Sequence, residues 1–295
     1  MKPAPFDYAR AADLDEACAL LAQGDDTRVI AGGQTLVPLM AMRLARPTRL
    51  IDISRIAALA FIRDEGAAVA IGATTRQCVV EHDALVRAKI PLLVKAVPYV
   101  GHAATRARGT VGGSLANADP AAEIALVAVT LCAIVTYREG SEDTRVAASD
   151  FFMAPMMTAM PSAGCLTSVS FPVWQGARIG TGFAEVSARK SDFAFVAAAC
   201  QLELDERGNC RRLALGVGAA TPTPLRLDAV GRALAGRRVT EVAIREAVRA
   251  ALAEIEPMAD LHASADYRRR AAVGLAVRAV MQAQQAAEAR GAHAG

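Results

Sequence analysis

With 295 residues, 53% of them hydrophobic and 21% charged, the chain can bury a sizeable core and is excluded from the globally disordered class. Its 33 basic residues against 30 acidic ones leave a net charge of +3, too little to make nucleic acid or an anionic membrane the main partner. One Trp and 4% aromatics also leave few platforms on which bases could stack.

The opening stretch MKPAPFDYAR has no apolar run behind its basic start, which argues against a secretory leader. Leu14, Ala17, Cys18 and Leu21 follow at helical spacing, so a helix is expected over 13–21 with Asp13 as its cap. Val29 and Ile30 read as the end of a short buried strand broken by Gly32 and Gly33. Further strands are expected at 50–53 and at 67–71, the latter ending at Gly72, so the first sixty or so residues form a small α/β unit. The stretch 74–100 reads mostly as helix, interrupted at Pro91 and Pro98. A segment rich in glycine and polar residues then runs to Glu123, and Asp119-Pro120 in it has the form of a helix start, Asp as cap and Pro at the first helical position.

The apolar run 124–135, broken by Thr130, is too short to span a bilayer. It is taken as helix to about Val129 and strand to Tyr137. REGSEDTR reads as a hairpin turn, 165–171 as a strand ended by Pro172, and 196–204 and 213–217 as strands about a turn at 206–209. Helices are expected at 240–253 and 263–289, the last fraying into the Gly-Ala-His tail. A domain boundary is placed in VWQGARIG, near 174–180. No solenoid repeat is present in the pattern. The six cysteines (Cys18, Cys78, Cys132, Cys165, Cys200, Cys210) include no Cys-x-x-Cys pair, so no cluster or structural zinc is assigned to this chain, and a reducing compartment is expected.

Two glycine turns carry the chemistry: Ala31-Gly32-Gly33-Gln34-Thr35 and Gly109-Thr110-Val111-Gly112-Gly113-Ser114. Glycine lets backbone N–H groups approach a ligand closely, and a run of them makes a concave anion site suited to a pyrophosphate. Thr35, Thr110 and Ser114 add hydroxyls. Neither turn is a Rossmann or Walker A motif, and on spacing alone both also fit tight turns at strand ends. Nothing in the pattern forms a catalytic triad, a paired-carboxylate site or a metal site.

Read through to Pro38, the first turn resembles the first FAD loop of the medium subunits of the xanthine dehydrogenase and aerobic carbon monoxide dehydrogenase family. Val100-Gly101-His102, Arg106, and Arg108 through Glu123 are similar to that family's second loop. Phe6-Asp7-Tyr8, Phe183-Ala184-Glu185 with Arg189 and Ser191-Asp192-Phe193-Ala194, and Gly216-Val217-Gly218 with Pro222, Pro224 and Arg226 extend the resemblance, in order, to about Gly236.

The resemblance implies an α+β fold: a two-part FAD-binding domain of the vanillyl-alcohol-oxidase (PCMH) type over 1–176, divided near 57, then a smaller α/β C-terminal domain over 177–290. It implies FAD contacts at Ala31, Gly32, Gly33, Gln34, Thr35, Leu36, Val100, Thr110, Val111, Gly112, Gly113, Ser114, Ala116, Asn117, Glu123, Leu166, Asp192 and Phe193, with backbone amides of both turns wrapping the pyrophosphate. His102 is assigned a structural loop hydrogen bond. Arg106 and Arg108 either balance phosphate charge or are solvated.

No catalytic side chain and no metal ligand is assigned here. The molybdenum-molybdopterin cofactor is expected on a large partner subunit and two [2Fe-2S] clusters on a small one, in a dimer of heterotrimers. Electrons would leave through FAD to NAD, a quinone, a cytochrome or oxygen, in a cytoplasmic enzyme without membrane insertion. Two other readings stand beside this one: a stand-alone FAD-dependent oxidoreductase, which needs a His, Tyr or Cys for covalent flavin or an acid–base residue over the ring, and a non-catalytic assembly subunit, which need not keep Gly32, Gly33, Gly112 and Gly113.

Overall fold

The computed structural model describes residues 2–24 and 26–292, and the expected fraying at His293–Gly295 lies outside them. The chain folds as three layers of mixed helix and sheet. The first is a small parallel sheet. Strands β1 (Asp7–Arg10), β2 (Thr27–Ile30) and β3 (Arg49–Asp52) lie in the order β1-β3-β2. Helix α1 (Leu14–Leu21) covers it, burying Ala17, Cys18 and Leu21, and Asp13 caps it by accepting from the Glu16 amide. Helix α2 (Leu36–Ala41) follows the first glycine turn.

The second layer is antiparallel. β4 (Ile62–Asp64) and β5 (Ala68–Gly72) enter it, then come five short helices: α3 (Gln77–His82), α4 (Ala84–Lys89), α5 (Pro91–Ala96), α6 (Ala103–Arg108) and α7 (Val111–Asn117). Pro91 opens α5 at its first turn, where its missing N–H costs nothing. Helix α8 (Glu123–Thr130) is buried at all eight positions and lies between the second and third layers. Its six inner residues, Ile124–Val129, are all apolar and leave no face for water, which explains its central place. Next come the hairpin β6 (Ile134–Glu139) and β7 (Glu142–Ala147), helix α9 (Ala148–Phe151), the small hairpin β8 (Phe152–Ala154) and β9 (Met157–Thr158), and β10 (Cys165–Pro172). The sheet runs β4-β5-β10-β6-β7.

The third layer is the antiparallel sheet β11 (Ile179–Ser187), β12 (Ala194–Leu204), β13 (Cys210–Gly218) and β14 (Leu225–Arg226), with helices α10 (Asp228–Leu234), α11 (Glu241–Leu252) and α12 (Ala265–Ala292). Both faces of this sheet are covered. Phe183, Ala197 and Ala199 join the core that holds α8, while Ala184, Val196, Ala198 and Cys200 join the core under α11 and α12. Hence β12 is nearly continuous apolar sequence, as a strand buried on two sides must be. Among the described residues no helix is long and apolar enough to cross a membrane.

Three expectations are corrected. The Asp119-Pro120 helix start is not used: α8 begins at Glu123 with Ala122 as its cap. Ala118 is left-handed (φ 49), the Asp119 side chain closes a turn on the Ala121 amide, and the Pro120 carbonyl accepts from Ala219 in the third layer. That pinning holds the segment out of the helix. The run 179–187, where a boundary near 174–180 and no strand was expected, is the nine-residue strand β11. Its Gly180 and Gly182 lower strand propensity but sit against α12: a Cβ at either would overlap the carbonyl oxygen of Ala283 or Ala279. Helix α10 was also not anticipated.

This close packing predicts that Gly182→Val lowers stability by about 3 kcal/mol. The check is the midpoint of urea unfolding, and an unchanged midpoint would show that α12 is not seated as described.

Candidate functional site

Where the first layer meets the second, a cleft of about 550 Å³ opens, within the range of ~300–1,000 Å³ usual for small-molecule sites. Its floor is the junction of the two glycine turns. Gly32 lies directly on the Arg108–Gly109 backbone: an added Cβ would overlap the Arg108 carbonyl oxygen and come within 2.9 Å of the Gly109 Cα. Gly33 holds a positive φ of 69°, which glycine adopts without strain. These two residues let the turn pass over the second loop and expose its amides. The N–H groups of Gly32, Gly33, Gln34, Thr35 and Leu36 donate to no group among the described residues, whereas the Val37 and Leu39 amides return to Gly33 and Thr35 as α2 begins. Five successive free donors at a helix start form a site for an anion.

The second turn is built differently from the expectation. Its amides are spent inside the protein: Val111 donates to the Thr75 carbonyl (3.0 Å), Gly112 to Ala73 (2.9 Å), Gly113 to the Thr110 hydroxyl (3.0 Å) and Ser114 to the Thr110 carbonyl (3.2 Å). The residues form the first turn of α7, with Thr110 as its N-cap. This loop therefore offers the cleft the Ser114 hydroxyl and the close approach of Gly112 and Gly113, not a row of amides. Val111 is no part of the wall, because its side chain is fully buried in the core.

All the other expected site residues line the cleft: Ala31, Gly32, Gly33, Gln34, Thr35, Leu36, Val100, Thr110, Gly112, Gly113, Ser114, Ala116, Asn117, Glu123, Leu166, Asp192 and Phe193. Asp192 and Phe193 arrive from the third layer on the β11–β12 turn, where Ser191 has a positive φ of 72° and Phe193 is 74% exposed. Leu166 is buried at the start of β10.

Glu123 is only 8% exposed, and no other residue donates to its carboxyl. Burial pushes that carboxyl up to about 8; a bond from its own amide opposes the rise, and the charges of Glu185 and Asp119 add to it. At neutral pH it is therefore an acid with a proton to donate.

Of the two readings left open for the basic residues near the second turn, neither Arg106 nor Arg108 lines the cleft to balance a phosphate. Arg106 is paired with Glu81 (2.8 Å) and donates to the Val100 and Gly101 carbonyls at 3.3 and 2.9 Å. Its task is to hold the loop that brings Val100 and Gly101 to the wall. The Arg108 side chain is exposed, and its carbonyl accepts from Arg76. His102 does not make the expected loop hydrogen bond: its ring is exposed and caps nothing, and only its backbone carbonyl accepts, from Thr105 and Arg106.

Sequence reading missed several wall residues. Arg28 is the one cation among the described lining residues. Gln77 presents a buried Oε1 with no partner. Met156 and Met160 flank β9, Met156 at a positive φ of 59° with its amide donating to Ala118. The run APMMTAMPSAG carries no charge and one glycine only, Gly164, so no clear sequence feature pointed to it. The lining, as described, contains no His, Cys or Tyr.

Comparison with known proteins places this geometry. A family model for the FAD binding domain in molybdopterin dehydrogenase matches residues 4–174, and one for the CO dehydrogenase flavoprotein C-terminal domain matches 182–283. The 6-hydroxypseudooxynicotine dehydrogenase complex subunit alpha of Paenarthrobacter nicotinovorans is 35% identical over 91% of this chain and 90% of its own length. The carbon monoxide dehydrogenase medium chain of Afipia carboxidovorans is 33% identical over 98% of this chain and 100% of its own. A chain of quinoline 2-oxidoreductase from Pseudomonas putida 86 superposes with a TM-score of 0.92 at 32% identity, covering 97% of this chain and 99% of that one.

The Arg106–Glu81 clamp gives a prediction about the wall. Arg106→Ala is expected to speed hydrogen–deuterium exchange across residues 100–106 and leave β12 and β13 protected as before. Exchange that does not change at that loop would mean the ion pair does not hold it.

Proposed function

This chain belongs to the family of FAD-binding subunits of the molybdopterin dehydrogenases, and on that premise we propose that its cleft holds FAD as the electron relay of a molybdenum hydroxylase. The observation that carries the reading is the run of five free amides from Gly32 to Leu36 in a cleft of cofactor size. A pyrophosphate needs such donors, and no other described stretch of the wall supplies them.

FAD bound there would supply the conversion between single-electron and paired-electron transfer. The protein's own part is to bind, orient and cover. The amides of 32–36 take the pyrophosphate, and Arg28 adds the one positive charge among the described wall residues. Ser114 and Asn117 offer polar contacts from α7, and Glu123 offers a donor from the start of α8. Leu166 and the small side chain of Ala116 give apolar surface against a ring, and Phe193, exposed on its turn, is placed to cover it. Without His, Cys or Tyr in the described wall, covalent attachment through such a side chain has no support, and the lining favours relay over substrate chemistry.

In this reading residues 1–176, with parts meeting near 57, hold the cofactor, and 177–290 close it with the 191–193 turn. A large subunit with molybdenum-molybdopterin would oxidise the organic substrate. A small subunit with two [2Fe-2S] clusters would pass the electrons on, and NAD, a quinone, a cytochrome or oxygen would receive them from the FAD. Names of relatives as medium chains or complex subunits support assembly with large and small partners, here drawn as a dimer of heterotrimers in the cytoplasm.

The test is an absorption spectrum of the purified chain, with the cofactor identified after heat release. One FAD per chain is expected. Gly113→Asp places a carboxylate in the cleft beside the pyrophosphate and is expected to weaken FAD binding at least about tenfold, the scale of one charge repulsion near 1.4 kcal/mol. A folded, colourless protein that takes up no added FAD would contradict the proposal.

A further inference from the structure

Four of the nine methionines, Met153, Met156, Met157 and Met160, fall within eight residues on and around the β8–β9 hairpin. The hairpin is anchored from inside. Phe151 and Phe152 are buried and pack edge to face with ring centroids 5.3 Å apart, and the Ala159 amide returns to the Phe151 carbonyl (2.8 Å). Its methionines are outside. Met153, Met156 and Met157 are 63%, 50% and 58% exposed, so none of the three fills a gap in the core, the usual employment of an unbranched thioether.

Met156 differs from its two exposed neighbours, because it alone of the three lines the cleft. Its backbone is left-handed (φ 59°), and its amide donates at 2.9 Å to the carbonyl of Ala118, itself left-handed (φ 49°). Its Sδ accepts from the Asn117 side-chain amide at 3.8 Å. Backbone and side chain are thus both tied to the end of α7, where Ala116 and Asn117 line the cleft as well. An oxygen added to this sulfur enters the wall beside Asn117, since the pinned backbone does not carry it away.

We propose that Met156 is a site of oxidative modification that governs the cleft: hydrogen peroxide converts its thioether to the sulfoxide, and the new oxygen takes the Asn117 amide and weakens binding of the dinucleotide. The inference rests on the reading of the cleft as an FAD site, and it adds a way to switch that site off. The sulfur attacks one peroxide oxygen, and the O–O bond breaks as the S–O bond forms. The proton of the transferred oxygen goes to the departing hydroxide, which leaves as water. Sulfur gives up two electrons and the peroxide takes them. Hydrogen peroxide is what oxygen becomes on accepting an electron pair and two protons, so a flavin that passes its electrons to oxygen makes the oxidant beside this sulfur. A thioether is a weak acceptor and the sulfoxide a polar one, which gives the Asn117 amide a reason to leave the ligand.

The experiment treats the full chain with dilute hydrogen peroxide, with and without FAD. Tandem mass spectrometry reads each methionine, and flavin fluorescence gives the FAD Kd. Met153, Met156 and Met157 are expected to gain one oxygen before the buried Met40 does. Bound FAD is expected to slow the reaction at Met156 and not at Met153 or Met157, which are no part of the described wall. The Kd is expected to rise about tenfold as Met156 is converted, the scale of one hydrogen bond lost, and to return after treatment with methionine sulfoxide reductases. In Met156→Leu, whatever its starting Kd, peroxide is expected to change the Kd no further while Met153 and Met157 still react. Met156 that stays a thioether while Met153 is converted overturns the inference, and so does full conversion with an unchanged Kd; neither result needs a variant to fold. A peroxide effect that persists in Met156→Leu assigns the loss to another residue and overturns it as well. An untreated chain that binds no FAD sinks the functional reading itself.

Discussion

The contact on which the site depends is the seating of Gly32 on the backbone of Arg108 and Gly109. It fixes the small parallel sheet against the second layer at one point, and that point is the floor of the cleft. A side chain at 32 would lift the first turn from the second and direct its amides elsewhere. Gly33 then turns with positive φ, and the five N–H groups from Gly32 to Leu36 are left without an acceptor among the described residues. The second turn has the complementary task. With its amides spent in α7 and on Ala73 and Thr75 just after β5, it is a rigid anvil and gives the ligand little of its own hydrogen bonding.

The third layer matters to the site by the way it is held. Ala219 donates to the Pro120 carbonyl, and the buried Arg268 grips the carbonyls of Ala219 and Phe195 together. One network therefore ties the end of β13, the start of β12 and the loop before α8. Through it the 191–193 turn reaches the cleft from a different sheet.

Much of this was legible in the residues and some was not, for physical reasons. Asp13 announced α1 because a cap acts on the amide three residues away. The apolar run after Glu123 divided into helix and strand as expected, since its length exceeds a strand. Gly112 and Gly113 marked the second turn, but a glycine turn that exposes amides and one that begins a helix look alike until the acceptors at Ala73 and Thr75 are known. Gly180 and Gly182 disguised β11, because they serve packing against α12 and weaken the strand signal. The partner of Arg106 lies on another element, Glu81 on α3, and no local spacing reports it.

The central claim is that the 32–36 amides and the cleft above them are the FAD site of this chain. The most direct measurement is a crystal structure of the chain grown with FAD. The account predicts density for the whole cofactor in the cleft, its pyrophosphate on the amides of Gly32 to Leu36 and its ring beside Phe193. FAD found on another surface, with the amides of 32–36 bonded to water alone, would contradict it.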